Sequence, residues 1–98
     1  MKLQLNLREN DLVDPEKVEV RVPNSQQGWN VLQAPTLEYQ GDGVFEGELD
    51  LSKGTEYKFL ISPKEPGAIN VGKDANGLWV RDPRNPHVTN EGVNSVVS

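Results

Sequence analysis

Proline, glycine and strict alternation of polar and apolar residues recur so often in this chain that no window longer than a turn or two suits an α-helix. What remains is a series of short extended segments separated by turn residues. The predicted strands cover residues 3–7, 18–22, 36–39, 45–51, 55–61, 78–80 and 94–97. Short strands at this spacing are typical of antiparallel sandwiches. We therefore predict an all-β antiparallel β-sandwich that forms a single small domain over residues 1–98.

Two of the turns are well specified by their residues. Gly-Asp-Gly at 41–43 opens the strand at 45–51, and Ser-Lys-Gly at 52–54 follows it. We expect the second turn to pair this strand with the one at 55–61 as a hairpin. Residues 62–77 contain two prolines and three glycines and are predicted to be a long irregular loop.

One strand near the middle of the chain predicts two different surfaces. Tyr57, Phe59 and Ile61 share one face, whereas Lys58 and Leu60 share the other. Because the first set is apolar and the second is mixed, we expect a core face and an outer working face.

The second of the two tryptophans, Trp79, lies between Leu78 and Val80. Alternation places the indole on the opposite side of the strand from these two aliphatic side chains. A large aromatic group turned away from the core is unfavourable in an ordinary domain. We therefore predict that Trp79 is a platform for a ligand.

Composition excludes several classes of function. The chain has 10 basic and 15 acidic residues, a net charge of −5, and the basic residues are scattered, so nucleic acid and anionic membranes are poor partners. There is no cysteine, and His87 is the only histidine. No motif supplies a spaced carboxylate pair, an activated nucleophile or a metal-ligand set. We expect neither an enzyme nor a requirement for a metal or cofactor.

Four motifs occur in the order found in one family of sugar-binding domains. They are Gln-Gly-Trp-Asn at 27–30, Tyr-Lys-Phe at 57–59, Trp-x-x-Asp-Pro-x-x-Pro at 79–86 and Val-Asn-Ser-Val-Val at 93–97. Over residues 18–97 the chain thereby resembles the family 48 carbohydrate-binding modules, which include the glycogen-binding domain of the AMP-activated protein kinase β subunit. The resemblance implies an early-set immunoglobulin-like β-sandwich.

The resemblance also implies a binding site. In glycogen-binding members, two tryptophans stack on glucose rings while a lysine and an asparagine bond the sugar hydroxyls. By motif, these residues are Trp29, Trp79, Lys58 and Asn94. A glucose ring offers an apolar C–H face to an indole and hydroxyl groups to ammonium and carboxamide. The implied partner is an α-1,4-glucan, either an oligosaccharide or a polysaccharide such as glycogen or starch.

Each of these residues also has a purely structural interpretation. Trp29 follows a glycine and could fill a gap in the core, and Lys58 could be an ordinary solubilising charge. Asn94 could satisfy backbone groups at the edge of the last strand. Asn90 and Glu91, in the neighbouring turn, are weaker candidates for sugar contact.

We therefore expect a non-catalytic module that concentrates glycogen or starch near an attached or associated enzyme domain. The alternative is a non-binding spacer or protein-interaction domain of a larger glucan-active enzyme or regulatory complex. In that case the surface around Trp79 would contact protein instead of sugar.

Overall fold

A computed structural model gives the fold of residues 1–8, 13–65, 77–89 and 92–98. These ranges contain the strands β1 (Lys2–Asn6), β2 (Val18–Arg21), β3 (Thr36–Gly41), β4 (Val44–Glu48), β5 (Glu56–Tyr57), β6 (Phe59–Pro63), β7 (Leu78–Val80) and β8 (Ser95–Val96). The helical elements in the same ranges are short 3₁₀ turns at Pro15–Lys17, Ser25–Gln27 and Val31–Gln33. None of the helical segments described is both long and apolar enough to span a bilayer.

The strands pair in an antiparallel manner throughout. Six of them form a curled sheet in the order β1-β4-β3-β2-β6-β7, and β5 pairs separately with β8. The predicted all-β antiparallel class is confirmed, and the arrangement is consistent with a β-sandwich. The immunoglobulin-like connectivity stays a prediction.

Alternation along the strands builds the hydrophobic core. In β1, β2 and β6, every second side chain points inward, and these residues pack together with side chains of β4 and β5. The most completely buried members are Leu3, Leu5, Val18, Val20, Val22, Phe45, Tyr57, Phe59 and Ile61. Burial of each large apolar side chain contributes about 1.5–3 kcal/mol to stability. This face of the sheet is therefore committed to the core, and the opposite face is the one that can bind a ligand.

The predicted hairpin between residues 45–51 and 55–61 is wrong. β4 pairs with β3 on one side and with β1 on the other, so neither of its edges is open to the following strand. The tight hairpin is β3–β4, whose loop residues Asp42 and Gly43 both have positive φ angles, as a type I′ turn requires. Residues 49–55 instead connect the large sheet to the separate β5–β8 pair.

The predicted strand at 55–61 is divided in two. Tyr57 pairs with β8, whereas Phe59 and the residues after it pair with β2 and β7. Lys58 lies between the two parts, and its backbone N–H donates to the carbonyl of Pro23 at 3.2 Å. One extended segment therefore joins the two-stranded ladder to the large sheet, and Lys58 marks the junction.

Gly77 fixes the approach of β7 to β6. Its φ angle is +107°, and a Cβ atom built on it would lie 2.0 Å from the carbonyl oxygen of Ile61. Only glycine permits this contact between the two backbones. The indole of Trp79 follows two residues later, so this contact helps to set its position.

Candidate functional site

The outer face of the large sheet carries the residues that sequence patterning selects. The strand register places Arg21, Leu60 and Trp79 side by side on β2, β6 and β7. Trp79 is 41% exposed, whereas Leu78 and Val80 on either side of it pack against the core. The indole therefore lies on the solvent side of the sheet, where alternation places it.

Leu60 gives this face an apolar floor. It is only 1% exposed, yet it does not belong to the core cluster, because its side chain is on the opposite side of β6 from Phe59 and Ile61. Leu60 and Lys58 were expected to share an exposed outer face. Lys58 is partly exposed, but Leu60 is buried, so that part of the expectation is wrong. Alternation predicts the side on which a residue lies but not what covers it.

Lys58 and Asn94 lie on the same outer face, next to the row that contains Trp79. Glu56 and Lys58 share one side of their segment by alternation, and the side chain of Asn94 bonds to the side chain of Glu56 on that side. The side chains of Lys58 and Asn94 are both half-buried. The structure thus places three of the four expected sugar contacts, Lys58, Trp79 and Asn94, on one side of neighbouring strands.

Asn94 is held in place by two neighbours. Its Nδ2 donates to Oε1 of Glu56 at 3.3 Å, and its backbone N–H donates to the hydroxyl of Thr89 at 3.3 Å. The carboxamide oxygen has no partner among the residues that the structure describes. A carboxamide oxygen can accept hydrogen bonds from hydroxyl groups.

Trp29 occupies an unusual backbone position at the end of a capped turn. Gly28 and Trp29 have consecutive positive φ angles of 68° and 61°. A bulky residue in this region costs about 1–3 kcal/mol, which the neighbouring bonds must offset. The backbone N–H of Trp29 donates to the carbonyl of Asn24 at 2.9 Å, and the Asn24 side chain caps the preceding 3₁₀ turn.

Trp29 is half-buried and is not among the side chains that pack against the core. The structure therefore does not support a core-filling role for it. Among the described residues, the ring pairs are Tyr39 with Phe45 and Tyr57 with Phe59, so neither indole is engaged by another ring. The role of buried Asn24 in anchoring this loop was not predictable from the sequence, since an asparagine next to turn residues is common.

The Asp-Pro part of the 79–86 motif has a structural role. Buried Asp82 accepts a hydrogen bond at 2.7 Å from the hydroxyl of Tyr57, and its backbone N–H donates to the Ser95 hydroxyl at 2.9 Å. The side chain of Asn85 donates to the same tyrosine oxygen at 3.0 Å. Burial, followed by the hydrogen bond to Asp82, raises the pKa of Tyr57 above its ordinary range. This network joins the end of β7 to β5 and β8.

His87 is exposed, and its backbone N–H donates to the side chain of Asn85 at 2.9 Å. Within the described ranges, no group of three or more histidine, cysteine, aspartate or glutamate side chains is arranged to hold a metal ion. The weaker candidates Asn90 and Glu91 and most of the predicted loop, residues 66–76, lie outside the described residues.

Comparison with known proteins adds no relative. No protein family matches the chain, and no curated protein is significantly similar to it. The motifs and the geometry of the outer face are therefore the basis for a functional proposal.

Proposed function

We propose that this protein is a non-catalytic α-glucan-binding module whose site is the outer face around Trp79. The observation that carries the proposal is an exposed indole opposite Leu60, with Lys58 two residues before Leu60 on the same side and Asn94 bonded to neighbouring Glu56. A pyranose ring has an apolar face, which can stack on the indole, and a polar edge, whose hydroxyl groups can bond to the lysine and the asparagine.

Each residue has a distinct role in this proposal. Trp79 stacks on a glucose ring and is supported by the covered side chain of Leu60 in the neighbouring strand. The ammonium group of Lys58 donates to sugar hydroxyls, and the carboxamide oxygen of Asn94 accepts from them. Trp29, on the loop between β2 and β3, stacks on a second ring of the curved α-1,4 chain.

The affinity should be modest. Two stacked rings and a few solvent-exposed hydrogen bonds leave little free energy once the ligand has been ordered. We expect a Kd of about 10 µM to 1 mM, roughly −7 to −4 kcal/mol, with longer oligomers bound more tightly than glucose.

The deciding experiment is calorimetric titration of the chain with maltoheptaose and, separately, with cellohexaose, accompanied by tryptophan fluorescence. We expect maltoheptaose to bind and cellohexaose to bind at least tenfold more weakly. Trp79→Ala should abolish binding, and Trp79→Phe, which keeps a ring over Leu60, should retain part of it. Circular dichroism checks that each variant is folded.

Tyr39→Ala is the matched control, because Tyr39 is also a partly exposed aromatic residue, at 37%, but stacks on Phe45 on the core side of the sheet. It should bind maltoheptaose as the unmodified chain does. Absence of maltoheptaose binding by the folded, unmodified chain would refute the proposal. Prolonged incubation should also leave the length of the maltoheptaose unchanged, since we propose binding without catalysis.

A protein-interaction role is the second candidate. It is favoured by exposed apolar side chains beyond the tryptophans, namely Leu32 at 86%, Val93 at 48% and Val88 at 39%. Exposed apolar side chains take part in protein contacts where they form one contiguous patch. If the folded chain shows no binding signal with either oligosaccharide, this role is favoured over sugar binding.

A further inference from the structure

Leu32 is the most exposed large apolar side chain in the described part of the protein, at 86%. It lies in the 3₁₀ turn Val31–Gln33, whose backbone is held in a defined position. The side chain of Asn30 caps this turn by accepting from the backbone N–H groups of Leu32 at 3.1 Å and Gln33 at 3.3 Å. The backbone at Leu32 is therefore anchored, whereas the side chain makes little contact with the rest of the domain.

Arg21 joins this turn to the outer face of the sheet. Its Nη1 donates to the carbonyl oxygen of Val31 at 2.9 Å and to that of Leu32 at 3.4 Å. Its Nε lies 3.3 Å from Oε1 of Glu19, which orients the guanidinium group from the other side. Hydrogen bonds from a charged donor are stronger than those between neutral groups. The turn is thus tied to the row of strands that contains the indole.

The register gives the distance across this face. Arg21 is beside Leu60, and Leu60 is beside Trp79. Because neighbouring strands are about 4.8 Å apart, the backbones of Arg21 and Trp79 are about 10 Å apart. The turn with Leu32 lies at the Arg21 side of this span, and Trp79 lies at the other.

We infer that Leu32 is a third apolar contact for the bound glucan, on the opposite side of the Leu60 floor from Trp79, and that it engages only chains long enough to span both. This inference rests on the proposed function. Because the backbone of the turn is already anchored, contact with the sugar restricts only the rotamers of the Leu32 side chain, and it removes C–H surface of the sugar from water. Leu32 would thereby favour longer α-glucans over short ones.

The test compares Leu32→Ala with the unmodified chain in calorimetric titrations with maltoheptaose and maltotriose. We expect the Kd for maltoheptaose to rise about three- to tenfold, as removal of part of an apolar contact implies. The Kd for maltotriose should differ by less than about twofold between Leu32→Ala and the unmodified chain. Leu32→Met should restore most of the affinity, because the thioether side chain fills similar space.

Val88→Ala is the control, since it also shortens an exposed aliphatic side chain but belongs to the 82–89 segment and not to this turn. It should bind both sugars as the unmodified chain does. If the unmodified chain binds maltoheptaose and Leu32→Ala binds it equally well, the inference is wrong while the proposed function stands. An equal loss with both sugars also overturns the spanning arrangement. If the unmodified chain binds neither sugar, the proposed function fails and the inference fails with it.

Discussion

Removing the hydroxyl group of Tyr57 tests the buried network that holds the end of β7. Tyr57 is fully buried, and its hydroxyl donates to Oδ2 of Asp82 at 2.7 Å while accepting from Asn85 at 3.0 Å. In Tyr57→Phe, this carboxylate oxygen loses its donor, although the other oxygen keeps the bond from the backbone of Arg84. A hydrogen bond to a charged group contributes about 1.5–3 kcal/mol, so we expect the free energy of unfolding to fall by that amount.

Urea denaturation followed by fluorescence measures this loss. With a slope of about 1–1.5 kcal/mol/M for a chain of this size, the midpoint should fall by roughly 1–3 M. Tyr39→Phe is the matched control, because the Tyr39 hydroxyl accepts one backbone bond from Gly43 at 3.0 Å in a more exposed setting. Its cost should be about 0.5–1 kcal/mol. Equal midpoints for the two variants would refute the argument, since the buried network would then add nothing beyond an exposed bond.

The same group predicts a loss of stability at high pH. Burial and Asp82 raise the pKa of Tyr57 in the folded protein above the unfolded value of about 10. Below about pH 10, both states keep the proton and the group causes no pH dependence. Above it, only the unfolded chain loses the proton, so the free energy of unfolding falls by up to about 1.4 kcal/mol per pH unit. Urea midpoints at pH 9 and pH 11 should therefore fall further for the unmodified chain than for Tyr57→Phe, and equal falls would contradict the prediction.

Two further substitutions test the fold and the site separately. Gly77→Ala should lower the free energy of unfolding by about 2–6 kcal/mol, because it combines an unfavourable φ angle with a clash against the carbonyl of Ile61. Gly54→Ala, which has a positive φ angle but open space, should cost only about 1–2 kcal/mol in the same urea titration. Lys58→Met should weaken maltoheptaose binding about two- to tenfold in calorimetry with little change in stability. Lys53→Met, at an exposed turn, is its control, and equal affinities for the two variants would exclude a sugar contact by Lys58.

Much of the candidate site depends on local patterning, and that part was predictable. The side on which Trp79 lies follows from alternation with Leu78 and Val80, which needs no knowledge of the neighbouring strands. The burial of Leu60 was not predictable, because its neighbours across the sheet, Arg21 and Trp79, are distant in sequence. The hydrogen bonds from Arg21 to the Val31–Gln33 turn were not predicted either. Their acceptors are backbone carbonyl groups, which every residue has and which therefore carry no sequence signal.

The amino-acid sequence by itself determined the all-β class, the approximate positions of most of the short strands and the tight turn at 41–43, because side-chain period and turn chemistry act between neighbouring residues. Only the tertiary structure decided which strands pair. The segment at 45–51 was expected to pair with the strand that follows it, but both edges of β4 are occupied by β1 and β3. Pairing is a competition among all strand edges in the domain, and burial of the shared core decides it. That competition also brings Lys58, Trp79 and Asn94 to one face, which no single segment specifies.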